Sequence, residues 1–453
     1  YAEHLSRAGA LVAEDQKNAE ALELSREASG ILEAYYKPDD VPLAVANDLL
    51  DLQRKAEAAI LKAGKLNEFM AEIQAKLDAG DTFGALESRQ ALIDRYDSLT
   101  GDADVSKILA DILAKEKAQT TQEDLGTAAI TEEIPAAGLN AATLSLRTQA
   151  TVDAVSRGTR VFAVGLDSCF GLDAETGEPL WKRSVGKNAP FAPMLVDASQ
   201  PALLVYHSDL NQLLLLDQAT GNLVWRQSIP SRPSGPPLIF QQQIYITTAN
   251  GELWRLSVDT GKAISRVIFN QPVIGPPTLT RDQKHLVIPG DQSVVYTLTV
   301  NPFECVAVSY VEHRLGSVEA PMLTLGKLLL LCDNDESNVA RLRVLDLNSE
   351  TGEVTVRRTS EPITVLGQIR DPGLLRGTEL FIPSTPQRVT AFSVNDSPDA
   401  DPPLSRIGAN QLENASPAPV HLLAGPQGQL WMASEALRKF RVRTNAVELE
   451  TAS

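Results

Sequence analysis

Two periodicities divide the chain. Over residues 1–118 apolar side chains recur three and four positions apart, as in the stripe Val45, Leu49, Leu52, Ala56 and Ile60. That spacing places them on one face of an α-helix. Helices are expected near 2–12, 18–36, 42–64, 67–78, 82–96 and 103–117. The breaks are expected at Lys37-Pro38-Asp39-Asp40, Gly64, Ala79-Gly80-Asp81 and Gly101-Asp102, with Asp102 as the N-cap of the last helix. From about 145 onward the pattern becomes short β-rich runs separated by turn residues, for example at 162–164, 203–206, 244–247, 286–288, 328–331 and 430–432. Between the two lies 119–144, rich in Thr, Ala, Glu and Pro and without apolar periodicity, which reads as a linker. The longest apolar stretches, such as 213–216 and 328–332, have strand length, and no stretch reaches membrane-span length.

The β-rich part repeats. Leu172-Asp173-Ala174-Glu175-Thr176-Gly177-Glu178-Pro179-Leu180-Trp181 aligns without gaps on Leu216-Asp217-Gln218-Ala219-Thr220-Gly221-Asn222-Leu223-Val224-Trp225. Two further copies carry Asp259, Thr260 and Gly261, and Thr351 and Gly352. Each copy reads as strand, Thr-Gly turn, strand. The glycine supplies a positive φ, and the Asp side chain can bond the turn backbone. Weaker copies put the turn at 302, 396 and 444, so the seven turns are 40 to 49 residues apart. A proline ahead of an apolar strand keeps the same phase at Pro193, Pro237, Pro277, Pro321, Pro372 and Pro419. Proline is tolerated at a strand's first residue because it has no N–H to donate. A period near 45 with four strands per unit is a propeller blade. The expected fold is an N-terminal all-α helical-hairpin array (1–118), a linker (119–144) and an all-β propeller (145–453). Seven blades are expected, with eight as the alternative, and a strand around 143–148 is expected to close the ring against the last blade.

The Asp-x-x-Thr-Gly-x-x-x-Trp pattern resembles the PQQ-like (quinoprotein-type) propeller repeat. That superfamily includes quinoprotein alcohol dehydrogenases and the propeller lipoprotein of bacterial outer-membrane protein assembly. The resemblance implies that the tryptophan of an outer strand docks on the neighbouring blade's turn. Trp181 and Trp225 fill that position, whereas Ser265, Ala307 and Val356 replace it in later blades. It also implies a bacterial periplasmic or envelope location. The stretch from Phe69 to Tyr96, with Ala79-Gly80-Asp81 before Phe83-Gly84-Ala85-Leu86, resembles a tetratricopeptide (TPR) helical hairpin; the proline usual at the unit's end is replaced by Asp97-Ser98-Leu99.

Charge and chemistry narrow the function. The net charge is −17, and residues 1–120 hold 23 acidic against 14 basic side chains. Such a chain repels phosphate backbones, which argues against nucleic acid, and the acidic N-terminal region favours a partner with basic surfaces. Cys169, Cys305 and Cys332 are scattered and read as strand residues. The resemblance implies for a dehydrogenase PQQ held on Ca²⁺, often beneath a disulfide of adjacent cysteines, and this chain has no adjacent cysteines. His4, His207, His285, His313 and His421 never pair at metal-ligand spacing. The run from Cys332 to Asn338 clusters oxygen groups without the EF-hand's glycine, so a solvated turn is favoured over a Ca²⁺ loop. Trp254 and Trp431 read as blade core. No residue is assigned to catalysis, a cofactor or a metal. The expected function is a non-catalytic protein–protein interaction scaffold in a bacterial envelope assembly; the alternative is a PQQ- and Ca²⁺-dependent dehydrogenase or a small-ligand-binding propeller.

Overall fold

The helical period of the N-terminal region becomes four helices in the computed structural model, which describes residues 18–35, 37, 43–96, 99–132, 153–157, 160–334, 338–411, 420–425, 428–434, 436–443 and 446–449. The chain divides into two compact units, 1–115 and 116–453. The helices are α1 (Asn18–Tyr35), α2 (Leu43–Asp78), α3 (Thr82–Arg95) and α4 (Ala103–Gln119), whose residues from Glu116 onward fall in the second unit. The helix expected at 2–12 lies outside the described residues. The break expected at Gly64 is absent, and α2 runs unbroken through it. Gly64 is exposed, so this glycine costs the helix only about 1 kcal/mol of propensity.

Apolar side chains of the first unit meet between the helices: Ala28 and Leu32 of α1, Ala56, Ile73 and Leu77 of α2, Ala85 and Leu92 of α3, and Ile108 and Ile112 of α4 are buried. The α2–α3 corner turns at Gly80 (φ 81°). Asp81 then caps α3 by accepting from the Gly84 N–H at 2.8 Å. A Cβ on Gly84 would lie 2.2 Å from that carboxylate, so the cap itself requires glycine. Asp102 caps α4 as expected, accepting from the N–H groups of Asp104 (2.9 Å) and Val105 (3.2 Å).

The second unit is a seven-bladed β-propeller. Blade 1 comprises β2 (Asp153–Arg157), β3 (Arg160–Gly165), β4 (Ser168–Asp173) and β5 (Pro179–Ser184). Blade 2 comprises β6 (Met194–Asp197), β7 (Pro201–His207), β8 (Gln212–Asp217) and β9 (Leu223–Ser228). Blade 3 comprises β10 (Leu238–Phe240), β11 (Gln243–Thr248), β12 (Glu252–Ser257) and β13 (Ala263–Ile268). Blade 4 comprises β14 (Thr278–Leu279), β15 (His285–Pro289), β16 (Val294–Thr299) and β17 (Glu304–Tyr310). Blade 5 comprises β18 (Leu323–Leu325), β19 (Leu328–Asn334) and β20 (Val339–Leu347), and its outer strand is split into β21 (Val354–Val356) and β22 (Thr364–Leu366). Blade 6 comprises β23 (Leu374–Arg376), β24 (Glu379–Ser384), β25 (Arg388–Val394) and β26 (Leu404–Gln411). Blade 7 comprises β27 (His421–Ala424), β28 (Gln429–Ala433), β29 (Leu437–Arg443) and β30 (Ala446–Leu449).

Every blade is an antiparallel meander, and in five of them the third and fourth strands pair with the same irregularity. In blades 1–4 and 6 a register shift falls at corresponding positions, between Gly171 and Leu172, Leu215 and Leu216, Arg255 and Leu256, Thr297 and Leu298, and Ala391 and Phe392. A bulge there adds twist to the outer strand. The apolar runs now have a physical reason. Leu214 and Leu216 face the core shared with blade 1, while Leu213 and Leu215 face the core shared with blade 3. Leu329 and Leu331 face blade 4, and Leu328, Leu330 and Cys332 face blade 6. A strand covered on both faces has no polar side to alternate with.

One expectation changes in detail. Residues 121–127, inside the segment read as linker, form β1 (Thr121–Thr127), which pairs antiparallel with β13 as a fifth strand of blade 3. The chain then reaches blade 2, where Ile130 and Arg226 exchange backbone hydrogen bonds of 2.9 and 2.8 Å. The last blade takes all four of its strands from 421–449, so it borrows none as its fourth. The closing strand expected at 143–148 lies outside the described residues.

Candidate interaction faces

The repeat residues build a self-contained turn. The Asp173 carboxylate accepts from the N–H groups of Glu175 and Thr176, both at 2.9 Å, and from the Thr176 hydroxyl at 3.1 Å. These donors hold its pKa below the usual carboxylate range, the Thr176 N–H first among them. Thr176 Oγ1 accepts in turn from the Glu178 N–H at 3.2 Å, and Gly177 closes the turn at φ 73°. Asp217, Thr220 and Gly221 repeat the arrangement, with the Thr220 N–H 2.8 Å and its hydroxyl 2.7 Å from Asp217. In blade 5 Asn348 takes the Asp role, ahead of Thr351 and Gly352. In blade 3 Ser257 takes it, ahead of Thr260 and Gly261. Asp259 does something else: its carboxylate accepts from the Ser199 N–H at 2.9 Å and ties blade 3 to blade 2.

The turn glycines are docking points. Trp181 Nε1 donates to the Gln218 carbonyl at 3.1 Å, and a Cβ on Gly221 would lie 2.6 Å from its indole. Trp225 Nε1 donates to the Val258 carbonyl at 2.8 Å, and a Cβ on Gly261 would lie 2.4 Å from its indole. Trp225 is 1% exposed, while Trp181 is half-buried. Where the tryptophan is lost, other side chains serve. Blade 3 has Ser265 at that position, and the aromatic comes from the opposite side. Phe303, in the turn of blade 4, lies 5.8 Å from the Tyr245 ring and 4.8 Å from the Arg255 guanidinium. Between blades 4 and 5 it is Val306, next to the expected Ala307, that faces Gly352, 2.8 Å from where its Cβ would stand.

The remaining candidates sit inside the blades. Cys169 belongs to blade 1, Cys305 to blade 4 and Cys332 to blade 5. Burial pushes the thiols of Cys169 and Cys332 up to about 12 and that of Cys305 to about 11, which keeps them as thiols. Their separation does not fit a quinone held beneath a disulfide. Asp333 and Asn334 are engaged already: Asp333 accepts from Arg343 Nε at 2.7 Å, and the Asn334 amide exchanges hydrogen bonds of 3.0 and 2.8 Å with the backbone of Ile369. Residues 335–337 of that run lie outside the described residues. Trp254 is buried in the core between blades 2 and 3 and donates to Glu252 at 2.5 Å; Trp431 is half-buried beneath Lys439.

The meander fixes what each face of the disc displays. One face carries the turns that follow the first and third strands of each blade, including the Thr-Gly turns. The other carries the turns after the second strand and the connections between blades. On that second face stand exposed leucines: Leu166, Leu210, Leu315, Leu366 and Leu437. Leu166 and Leu437 are 65% and 68% exposed. Leu166 also has φ 57°, in the left-handed region that leucine ordinarily avoids.

Residues 167–295 match a family model described as "Outer membrane protein assembly factor BamB". The matched part runs from β4 in blade 1 into β16 in blade 4. Among solved structures, BamB from Moraxella catarrhalis is similar with 17% identity and a TM-score of 0.41, over 53% of this chain and 71% of that one. The computationally designed Ika8 protein aligns with 9% identity and a TM-score of 0.46, over 66% and 86% of the two chains. Kluyveromyces lactis Hsv2 aligns with 10% identity and a TM-score of 0.46, over 66% and 98%. No curated protein matches the chain. The chain carries a seven-bladed β-propeller preceded by a helical unit, and residues 167–295 of that propeller match the BamB family model.

Proposed function

We propose that this protein is a non-catalytic scaffold that binds other proteins in a bacterial envelope assembly. The observation that carries the reading is the leucine-bearing face. An exposed leucine at positive φ is unfavourable twice, through hydration and through about 1–2 kcal/mol of backbone strain. Strain of this kind concentrates at functional sites. Leu437, Leu166 and Leu210 stand on the corresponding turns of blades 7, 1 and 2, so apolar anchors recur at one place in the fold. The match to an assembly-factor family supports the same reading. The acidic helical unit serves as a second surface, for a partner with basic residues.

Cross-linking in living cells of the source bacterium, followed by purification of the full chain, tests this. The partner captured by the wild type is lost when Leu166, Leu210 and Leu437 are all replaced by Asp, while the thermal transition is kept. An unchanged set of cross-linked partners overturns the assignment of this face. Stoichiometric uptake of PQQ and Ca²⁺ with turnover of alcohols or sugars overturns the non-catalytic reading.

A further inference from the structure

The opposite face, where the Thr-Gly turns lie, holds a cavity of about 490 Å³ formed by the turns of blades 4 and 5. That volume falls within the range of small-ligand sites. Its wall is apolar at Leu347, which is half-buried, and its rim carries Arg281 and Lys327. Two carboxylates adjoin these cations: Asp282, exposed, lines the cavity, and Asp396 is half-buried beside it. Asp282 accepts from the Thr280 hydroxyl at 2.6 Å and the Lys284 N–H at 3.1 Å, so it closes its own turn. Asp396 reaches over from blade 6, accepts from the Lys327 N–H at 3.2 Å and pairs with Arg281 at 3.3 Å. Its approach is built in, because a Cβ on Gly326 would lie 2.3 Å from the Asp396 carboxylate. The Lys327 ammonium has no ion pair among the described residues. The Arg281–Asp396 pair is largely exposed, and such pairs exchange readily for an equivalent anion.

We propose that this cavity binds a carboxylate attached to an apolar group. The carboxylate takes the place of Asp396 on Arg281 and is held by Lys327, and the apolar part lies on Leu347. Asp396 is then an internal competitor, a tethered carboxylate that occupies the guanidinium until a ligand displaces it. A free amphiphilic acid and an acidic-apolar peptide segment share this chemistry. Failure here leaves the scaffold reading standing, since the leucines project from the other face.

The test uses the full chain and two probes: octanoate, followed by calorimetry, and a fluorescein-labelled peptide of alternating Leu and Glu, followed by anisotropy. Binding of octanoate alone assigns the site to free acids, and binding of the peptide alone assigns it to protein segments. Lys327→Glu weakens the bound probe at least tenfold. Asp396→Ala, which frees Arg281, tightens it several-fold, and this gain separates the site from non-specific attraction to a basic rim. The proposal is overturned if neither probe binds at millimolar concentration, if Lys327→Glu binds as the wild type does, or if Asp396→Ala fails to tighten binding.

Discussion

The indole N–H of Trp225 donates to the carbonyl of Val258 across 2.8 Å, from the outer strand of one blade into the turn of the next. Val258 precedes Gly261, over which the same ring lies. Replacing Trp225 by Ala removes a fully buried aromatic and leaves that carbonyl unmatched, a loss of about 3–5 kcal/mol in urea unfolding. Trp181→Ala costs less, because Trp181 is half-exposed. Gly261→Ala is also destabilising, through the clash with Trp225 and through its φ of 63°. Equal midpoints for the wild type and Trp225→Ala would show the blade register to be wrong.

Arg343 and Asp333 form an ion pair at 2.7 Å with both side chains buried. Removing Arg343 strands the Asp333 charge inside the sheet, whereas Arg343 without Asp333 keeps the Glu312 carboxylate at 3.5 Å. Arg343→Met is expected to cost about 3–5 kcal/mol, and the double change of Arg343 and Asp333 to Met and Leu much less. A double-mutant cycle by chemical denaturation checks the difference; two losses that simply add contradict it.

Glu116 is buried in the propeller unit, where Tyr296 donates its hydroxyl to one carboxylate oxygen and Asn270 its amide to the other, the latter at 2.9 Å. Glu116→Ala leaves these donors unmatched and is expected to lower stability by about 1–3 kcal/mol. Glu116→Gln should retain more of it. Thermal melts of the two variants, read against the wild type, decide the order.

His207, His285 and His313 are buried, and burial pushes each of them below the ordinary histidine value of 6.5. Above about pH 6.5 all three are neutral, folded or unfolded, and contribute no pH dependence. As the pH falls below 6.5 the unfolded chain takes up protons that the folded one refuses, so stability declines until the lowered folded values are reached. Urea midpoints at pH 8 and pH 5 should differ in that direction. Replacing His313 by Gln, which keeps a donor for the Gly290 carbonyl 2.8 Å away, should flatten the slope.

The blade repeat was legible because its logic is local. An Asp, a Thr and a Gly within five residues determine one another's hydrogen bonds, and the sequence displays all three. What replaces a missing tryptophan was not legible. Phe303 and Val306 act across a blade boundary on residues some 40 positions or more away, and nothing in their immediate surroundings marks them. β1 was missed for a related reason. Thr-Gln-Glu-Asp-Leu-Gly-Thr is almost wholly exposed and is held through its backbone, so it carries no apolar alternation. Gly64 misled in the other direction, because a single exposed glycine cannot break a helix whose flanking turns both continue. The leucine face came from the turns, whose placement on one side of the disc follows only from the order of strands.

The pairing of Thr121 with Ile268 has a consequence for how the protein is made. Roughly 150 residues separate the two, so β1 leaves the ribosome well before the strand it fastens to, and the entropy of closing that loop is spent late. Blades 1, 2 and most of 3 must emerge first. Meanwhile β1 waits as an acidic, polar segment with little tendency to join a wrong edge. Its charge, unremarkable in the finished molecule, is what lets a strand be synthesised early and used last.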